Sequence, residues 1–151
     1  MNTEQQNQNT VPVSSVVTQN NFKVYTKNSI PIGALLFGPV AGCYMLAKNF
    51  EFFGDKPAAK KTWIILLVSM AIYGIYLLTP FTTQFINILP ILYTVIIYSY
   101  TEKLQGKILD EHIKSGGKKY SGWKVLGVGI LSILVTLIYI FVLVLFIKPL
   151  I

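Results

Sequence analysis

Residues 125–147 read VLGVGILSILVTLIYIFVLVLFI, 23 positions without a charge, of which 18 are Leu, Ile, Val or Phe. Only Gly127, Gly129, Ser132, Thr136 and Tyr139 interrupt the run. At 1.5 Å rise per residue a helix of this length covers roughly 34 Å, enough to cross a hydrocarbon core of about 30 Å. Its apolar side chains each favour mid-membrane by about 0.3–0.6 kcal/mol, so insertion is favourable by very roughly 5–10 kcal/mol. The stretch predicts residence in a membrane.

Composition agrees. Charged residues are 13% and hydrophobic residues 53% of the chain, whereas a typical soluble domain carries about 25% charge on a dispersing surface. All 13 basic residues are Lys. Lysine is a point charge without the bidentate fork that reads base edges. The net charge of +7 therefore points to a membrane surface, and nucleic acid is not an expected partner. A single cysteine, Cys43, excludes an internal disulfide.

Three windows lack charge: 28–47, 62–101 and 125–147. The middle one is 40 residues long, twice what one helix needs, and divides at the polar turn Thr79-Pro80-Phe81-Thr82-Thr83-Gln84. The pattern predicts an all-α integral membrane bundle of four hydrophobic helices, with spans at about 30–48, 62–79, 84–100 and 124–147. They form a single domain over 28–151. Helix three is expected to run on past Tyr100 as an amphipathic cytosolic extension, stopped by Gly116-Gly117, and Ser121 is placed to cap helix four. Residues 1–27 form a polar N-terminal tail. Its first 22 positions, rich in Asn, Gln, Thr and Ser, predict disorder and do not have the form of a signal peptide.

Lysine placement sets the orientation. Segments 48–61 and 101–124 hold 10 of the 13 lysines, and the turn at 79–84 holds none. The positive-inside rule puts both segments in the cytosol, making this a multi-pass protein of the cytoplasmic membrane. Trp63 and Trp123 then fall at headgroup depth. The first hydrophobic segment carries Pro31, Gly33, Gly38, Pro39 and Gly42. Pro39 disfavours helical geometry at Gly38. Length favours a kinked span with the N-terminus outside over a re-entrant hairpin with the N-terminus in the cytoplasm, since neighbouring helices can satisfy a local break.

Ala34, Gly38 and Gly42 recur every four residues, so on one helix they share a face and admit another backbone closely, within the bundle or in a second copy. Val40-Ala41-Gly42-Cys43 has the form of a lipoprotein cleavage box but stands outside that motif's context. His112 is the only histidine. On a helical wheel it lies with Leu104, Gln105, Ile108, Leu109 and Ile113 on the apolar half of 101–115. His112, Lys118, Lys119 and Trp123 are the candidates for contact with a cytosolic partner or with anionic headgroups. Gln84 and Asn87, beside Pro90, could form a small polar pocket. No residue stands at metal-ligand spacing from His112, and Cys43 lies at a different depth, so no metal, cofactor or catalytic residue is expected. Apart from Lys48 and Lys124 at their very ends, the predicted spans hold no Asp, Glu, Lys, Arg or His, which argues against ion coupling.

The run Ile30-Pro31-Ile32-Gly33-Ala34-Leu35-Leu36-Phe37-Gly38-Pro39-Val40-Ala41-Gly42, with Leu46 to Asn49 and Gly54, resembles a group of small bacterial multispanning membrane proteins of unassigned activity. Leu104-Gln105, His112, Gly116-Gly117 and Ser121-Gly122-Trp123 resemble the same group. The resemblance implies a bacterial cytoplasmic membrane protein, brings no catalytic residues, and implies that the two stretches work together as a cytosol-facing surface. The expected role is a non-enzymatic accessory or scaffolding component, with anionic membrane lipids and a membrane-protein partner or second copy as its contacts. The alternative is a subunit of an oligomeric transporter or channel whose path is lined by the broken first helix. A lipid-modifying enzyme is the least favoured reading.

Overall fold

The computed structural model describes residues 22–78 and 88–147. In chain order these form β1 (Lys23–Val24), α1 (Ser29–Phe37), α2 (Pro39–Phe52), α3 (Lys56–Leu78), α4 (Ile88–Thr101), a π-helical turn (Glu102–Gly106), α5 (Lys107–Lys114), β2 (Lys118–Lys119) and α6 (Gly122–Ile147). The all-α class holds. The two strands are only a parallel two-residue ladder, Lys23 beside Lys118 and Val24 beside Lys119. The tail at 1–21, the turn at 79–84 and the Gln84–Asn87 pocket lie outside the described residues.

The first apolar segment is not a kinked span. Gly38 takes φ 82° and ψ −174°, a conformation almost closed to residues with a side chain, and the chain reverses there. A Cβ added to Gly42 would sit 2.7 Å from the Cβ of Ala34, and Gly33 faces the Met45 side chain, so α1 and α2 lie antiparallel. Tyr25 and Asn49 are hydrogen-bonded at the open end of this hairpin. Local chemistry permits the reversal. Pro39 disfavours helical geometry at the residue before it, yet suits the first position of a new helix because no N–H is needed there. The small residues Ala34 and Gly42 then let the arms touch. The nine residues of α1 make an arm of about 14 Å, less than half a bilayer core.

Among the described residues two helices, not four, are long and apolar enough to cross a membrane: Lys56–Ile75 within α3 and Gly122–Phe146 within α6. The first expected span doubles back. The third is described only from Ile88, and the helix beyond Thr101 carries Glu102, Lys103 and Lys107. Only 28% and 17% of the two long windows are covered by the rest of the protein. Their open Leu, Ile and Val faces suit a bilayer better than water.

The hairpin is the core. Ile30, Ala34, Ala41, Cys43, Met45 and Leu46 are buried, joined by Leu66 and Met70 of α3 and Ile97 of α4. Phe37 lies against Gly129 of α6, and Ile97 faces Gly42. Beyond the hairpin tip, Tyr139 of α6 donates to the Met70 carbonyl at 2.7 Å. Helix ends cluster at the lysine-rich end. Asp55 caps α3 by accepting from the Ala58 N–H at 3.0 Å. α5 stops where the Gly116-Gly117 pair predicts, Gly116 at φ 84°, with Gly117 N–H bonded to His112 O at 2.8 Å and Gly116 N–H to Ile113 O at 3.1 Å. That paired pattern is the Schellman motif. α6 starts directly after Ser121.

Candidate functional site: a lysine-rich cap and an apolar chamber

The lysine-rich end carries a folded cap. Asn49, on α2, points away from water and is fully buried. Its Oδ1 accepts from Tyr25 N–H at 2.9 Å, and its Nδ2 donates to Tyr25 O at 2.7 Å and to Gln105 Oε1 at 3.3 Å. Gln105 Nε2 donates in turn to Leu46 O at 3.1 Å. These bonds tie the segment before the hairpin, the hairpin base and the π-turn into one unit. Lys27 Nζ donates to Asp110 Oδ2 at 2.9 Å and lies 3.7 Å from Glu102 Oε1. The Asp110 hydrogen bond, with Glu102 adding to it, raises the Lys27 ammonium pKa. Burial pushes the Tyr25 phenol well above its ordinary value, with Tyr44 and Tyr120 acting in the same direction.

The π-turn decides which side of 101–115 faces inward. Gln105 and Leu109 are buried, whereas Leu104, Ile108 and Ile113 are exposed. A uniform helical wheel grouped all five with His112. The wider i→i+5 turn changes the register of the helix that follows it, so the wheel fails beyond Thr101.

His112 packs into the aromatic part of the cap. Phe22 stacks on its ring at 4.8 Å and 11°, Phe53 meets it edge-on at 6.2 Å, and Phe22 also stacks on Phe52 at 5.8 Å. The Gly117 backbone approaches so closely that any Cβ there would overlap the imidazole. His112 Nε2 is buried and has no hydrogen-bond partner among the described residues. Lys118 and Lys119 lie exposed on β2 beside α5, with Lys118 paired against Lys23. Trp123 stands apart at the start of α6, 82% exposed. Of the helix-packing candidates, Ala34 and Gly42 face each other across the hairpin, while Gly38 is its turn and belongs to neither face.

Alongside α1 and the hairpin tip lies a chamber of about 580 Å³, bounded by Phe37–Pro39, by Ser69 and Tyr73 of α3, by Tyr93 of α4 and by Thr136 of α6, with Leu, Ile, Ala34 and Pro90 elsewhere. Three of its hydroxyls are turned to backbone: Ser69 donates to Ile65 O at 2.7 Å, Thr136 to Ser132 O at 2.9 Å, and Tyr93 to Pro39 O at 3.3 Å. Cys43 Sγ lies 3.0 Å from the Tyr93 hydroxyl. The wall is therefore mostly hydrocarbon to an occupant, the lining of a site for an apolar molecule. No group of three metal-binding side chains exists among the described residues.

Sequence reasoning missed Asn49, Tyr25 and the Lys27–Asp110 pair. A signal for Asn49 existed: it continues the 42, 45, 46, 49 spacing of the buried face of α2, where a polar residue demands partners. No local signal foretold that residues 22–28 would pack under α5. These features define a class: an all-helical protein, built round a helical hairpin, with two helices long and apolar enough to cross a membrane. No protein-family model, curated protein or solved structure matches the chain.

Proposed function

We propose that this chain is a small polytopic protein of the cytoplasmic membrane that serves as a non-enzymatic accessory or scaffolding component. In this reading α3 and α6 cross the bilayer, the 14-residue α4 lies within it, the α1–α2 hairpin is re-entrant, and the lysine-rich cap faces the cytosol. The N-terminal segment then lies on the cytosolic side, because β1 pairs with β2 in the cap. The observation that carries the reading is the cap itself, a hydrogen-bonded platform that exposes Lys118 and Lys119 beside Lys23. Like charges placed side by side repel, and an acidic partner surface relieves that repulsion. In-membrane crosslinking followed by identification of co-purified proteins tests it. A partner captured by the native chain and lost on Lys118→Glu with Lys119→Glu supports the scaffold. The same proteins recovered with both chains would rule it out.

The chamber favours a second reading, a subunit that binds or passes an apolar molecule. The hairpin tip, Phe37–Pro39, forms part of the chamber wall. Filling the chamber by Ser69→Leu with Thr136→Leu should then abolish uptake or binding and leave partner capture intact.

A further inference from the structure

α2 and α3 form an antiparallel pair whose facing side chains fall into three levels. Tyr44, Lys48 and Glu51 follow one another at four- and three-residue spacing on one face of α2, and Lys56, Lys60 and Trp63 do the same on α3. Glu51 and Lys56 flank the turn, Lys48 and Lys60 lie one turn lower, and Tyr44 meets Trp63 edge-to-face at 6.3 Å below them. A cavity of about 500 Å³ opens at this face, lined by Glu51, Lys56, Lys60 and Trp63 over the buried Ala59.

The charges in this groove do not balance. Lys48 is paired with Glu51 at 2.6 Å, and neither Lys56 nor Lys60 has an ion pair among the described residues. Two ammonium groups one helical turn apart are thus presented together, with an indole about 5 Å deeper than Lys60 along the axis. Indoles sit at the depth of lipid headgroups and glycerol. Lysines there attract phosphate, and the aromatic floor beneath suits the first methylenes of an acyl chain.

We propose that this groove is a binding site for one anionic glycerophospholipid, its phosphate held by Lys56 and Lys60 and its upper chain lying against Trp63. The site rests on the membrane orientation above. It is distinct from the platform of Lys118 and Lys119, which lies on another element. Glu51 takes no part in holding the phosphate: its pairing with Lys48 leaves the groove net positive.

The test uses the full chain carrying Trp123→Phe, so that Trp63 is the only indole, in phosphatidylcholine vesicles with a minor fraction of chain-brominated phosphatidylglycerol. Trp63 fluorescence should report enrichment of the anionic lipid on the order of tenfold over its bulk fraction, as two lysines near the surface imply. Brominated phosphatidylcholine at the same fraction should give only bulk quenching. Lys56→Gln with Lys60→Gln should abolish the preference, and Lys103→Gln with Lys107→Gln, outside the groove, should preserve it. Equal quenching by both lipids, or a preference that survives Lys56→Gln with Lys60→Gln, overturns the proposal. Loss of the preference in millimolar inorganic phosphate also overturns it, because the groove would then be a general phosphate site. Labelling of Lys60 and Lys118 in sealed vesicles separates the two failures: opposite faces sink the orientation itself, whereas one face with no lipid preference sinks only the site.

Discussion

Asn49 grips Tyr25 by both backbone groups, accepting its N–H at 2.9 Å and donating to its carbonyl at 2.7 Å across 24 residues of chain. The pair closes the open end of the helical hairpin as a strand neighbour would, with a side-chain amide in place of a backbone. Asn49→Leu should therefore cost more than its volume suggests. It leaves the Tyr25 N–H and carbonyl and Gln105 Oε1 without their partner in a dry site, at about 1–3 kcal/mol for each group. The expected result is a lower thermal midpoint in detergent and faster proteolysis between residues 22 and 28, with the long helices intact. A variant as stable and as protected as the native chain would show that the grip is dispensable.

Gly38 and Gly42 should fail for different reasons. Gly38→Ala meets no atom within 4 Å but forces a side chain into φ 82°, a strain of about 1–3 kcal/mol. Gly42→Ala leaves the backbone relaxed and overpacks against Ala34, also at about 1–3 kcal/mol. Only the second should be rescued by Ala34→Gly, which exchanges the two side chains across the hairpin. Thermal midpoints of the four variants decide it, and rescue of Gly38→Ala by Ala34→Gly would contradict the hairpin geometry.

His112 presents a stability–function contrast. Its Nε2 is buried without a hydrogen-bond partner among the described residues, so His112→Phe removes an unsatisfied polar atom while keeping a ring against Phe22 and Phe53. We expect a variant as stable as the native chain, or more stable by about 1 kcal/mol. If the cap is the partner surface, that variant should capture less partner despite its stability. Gly117→Ala, which drives a methyl into the imidazole, should lower both.

The cap should loosen in alkali. Folding raises the pKa of both Tyr25 and Lys27, so each favours the folded state fully below its unfolded value of about 10 and loses that contribution as pH rises through the folded value. Stability should be flat from neutrality to about pH 9 and fall above about pH 10. Tyrosinate absorbance should report phenols ionising late, and Tyr25→Phe should lower that late amplitude by one phenol. A late amplitude unchanged in Tyr25→Phe would show that Tyr25 is not among the protected phenols.

The chain's hydrophobic runs alone determined that it is helical and that 125–147 is long enough to cross a bilayer. A 23-residue apolar stretch leaves its backbone no partner but its own carbonyls, so the result depends on nothing distant. The stop at Gly116-Gly117 and the helix start after Ser121 were legible for the same reason, because caps are local chemistry. Tertiary structure alone decided the fate of 28–47. Gly38-Pro39 allows either a kink or a full reversal, and the choice fell to contacts 8 to 24 residues apart: Ala34 on Gly42, and Asn49 on Tyr25. The inward side of 101–115 was likewise set by the π-turn and by the buried partners of Gln105. Long-range packing selects among backbone paths that local sequence leaves nearly equal in energy.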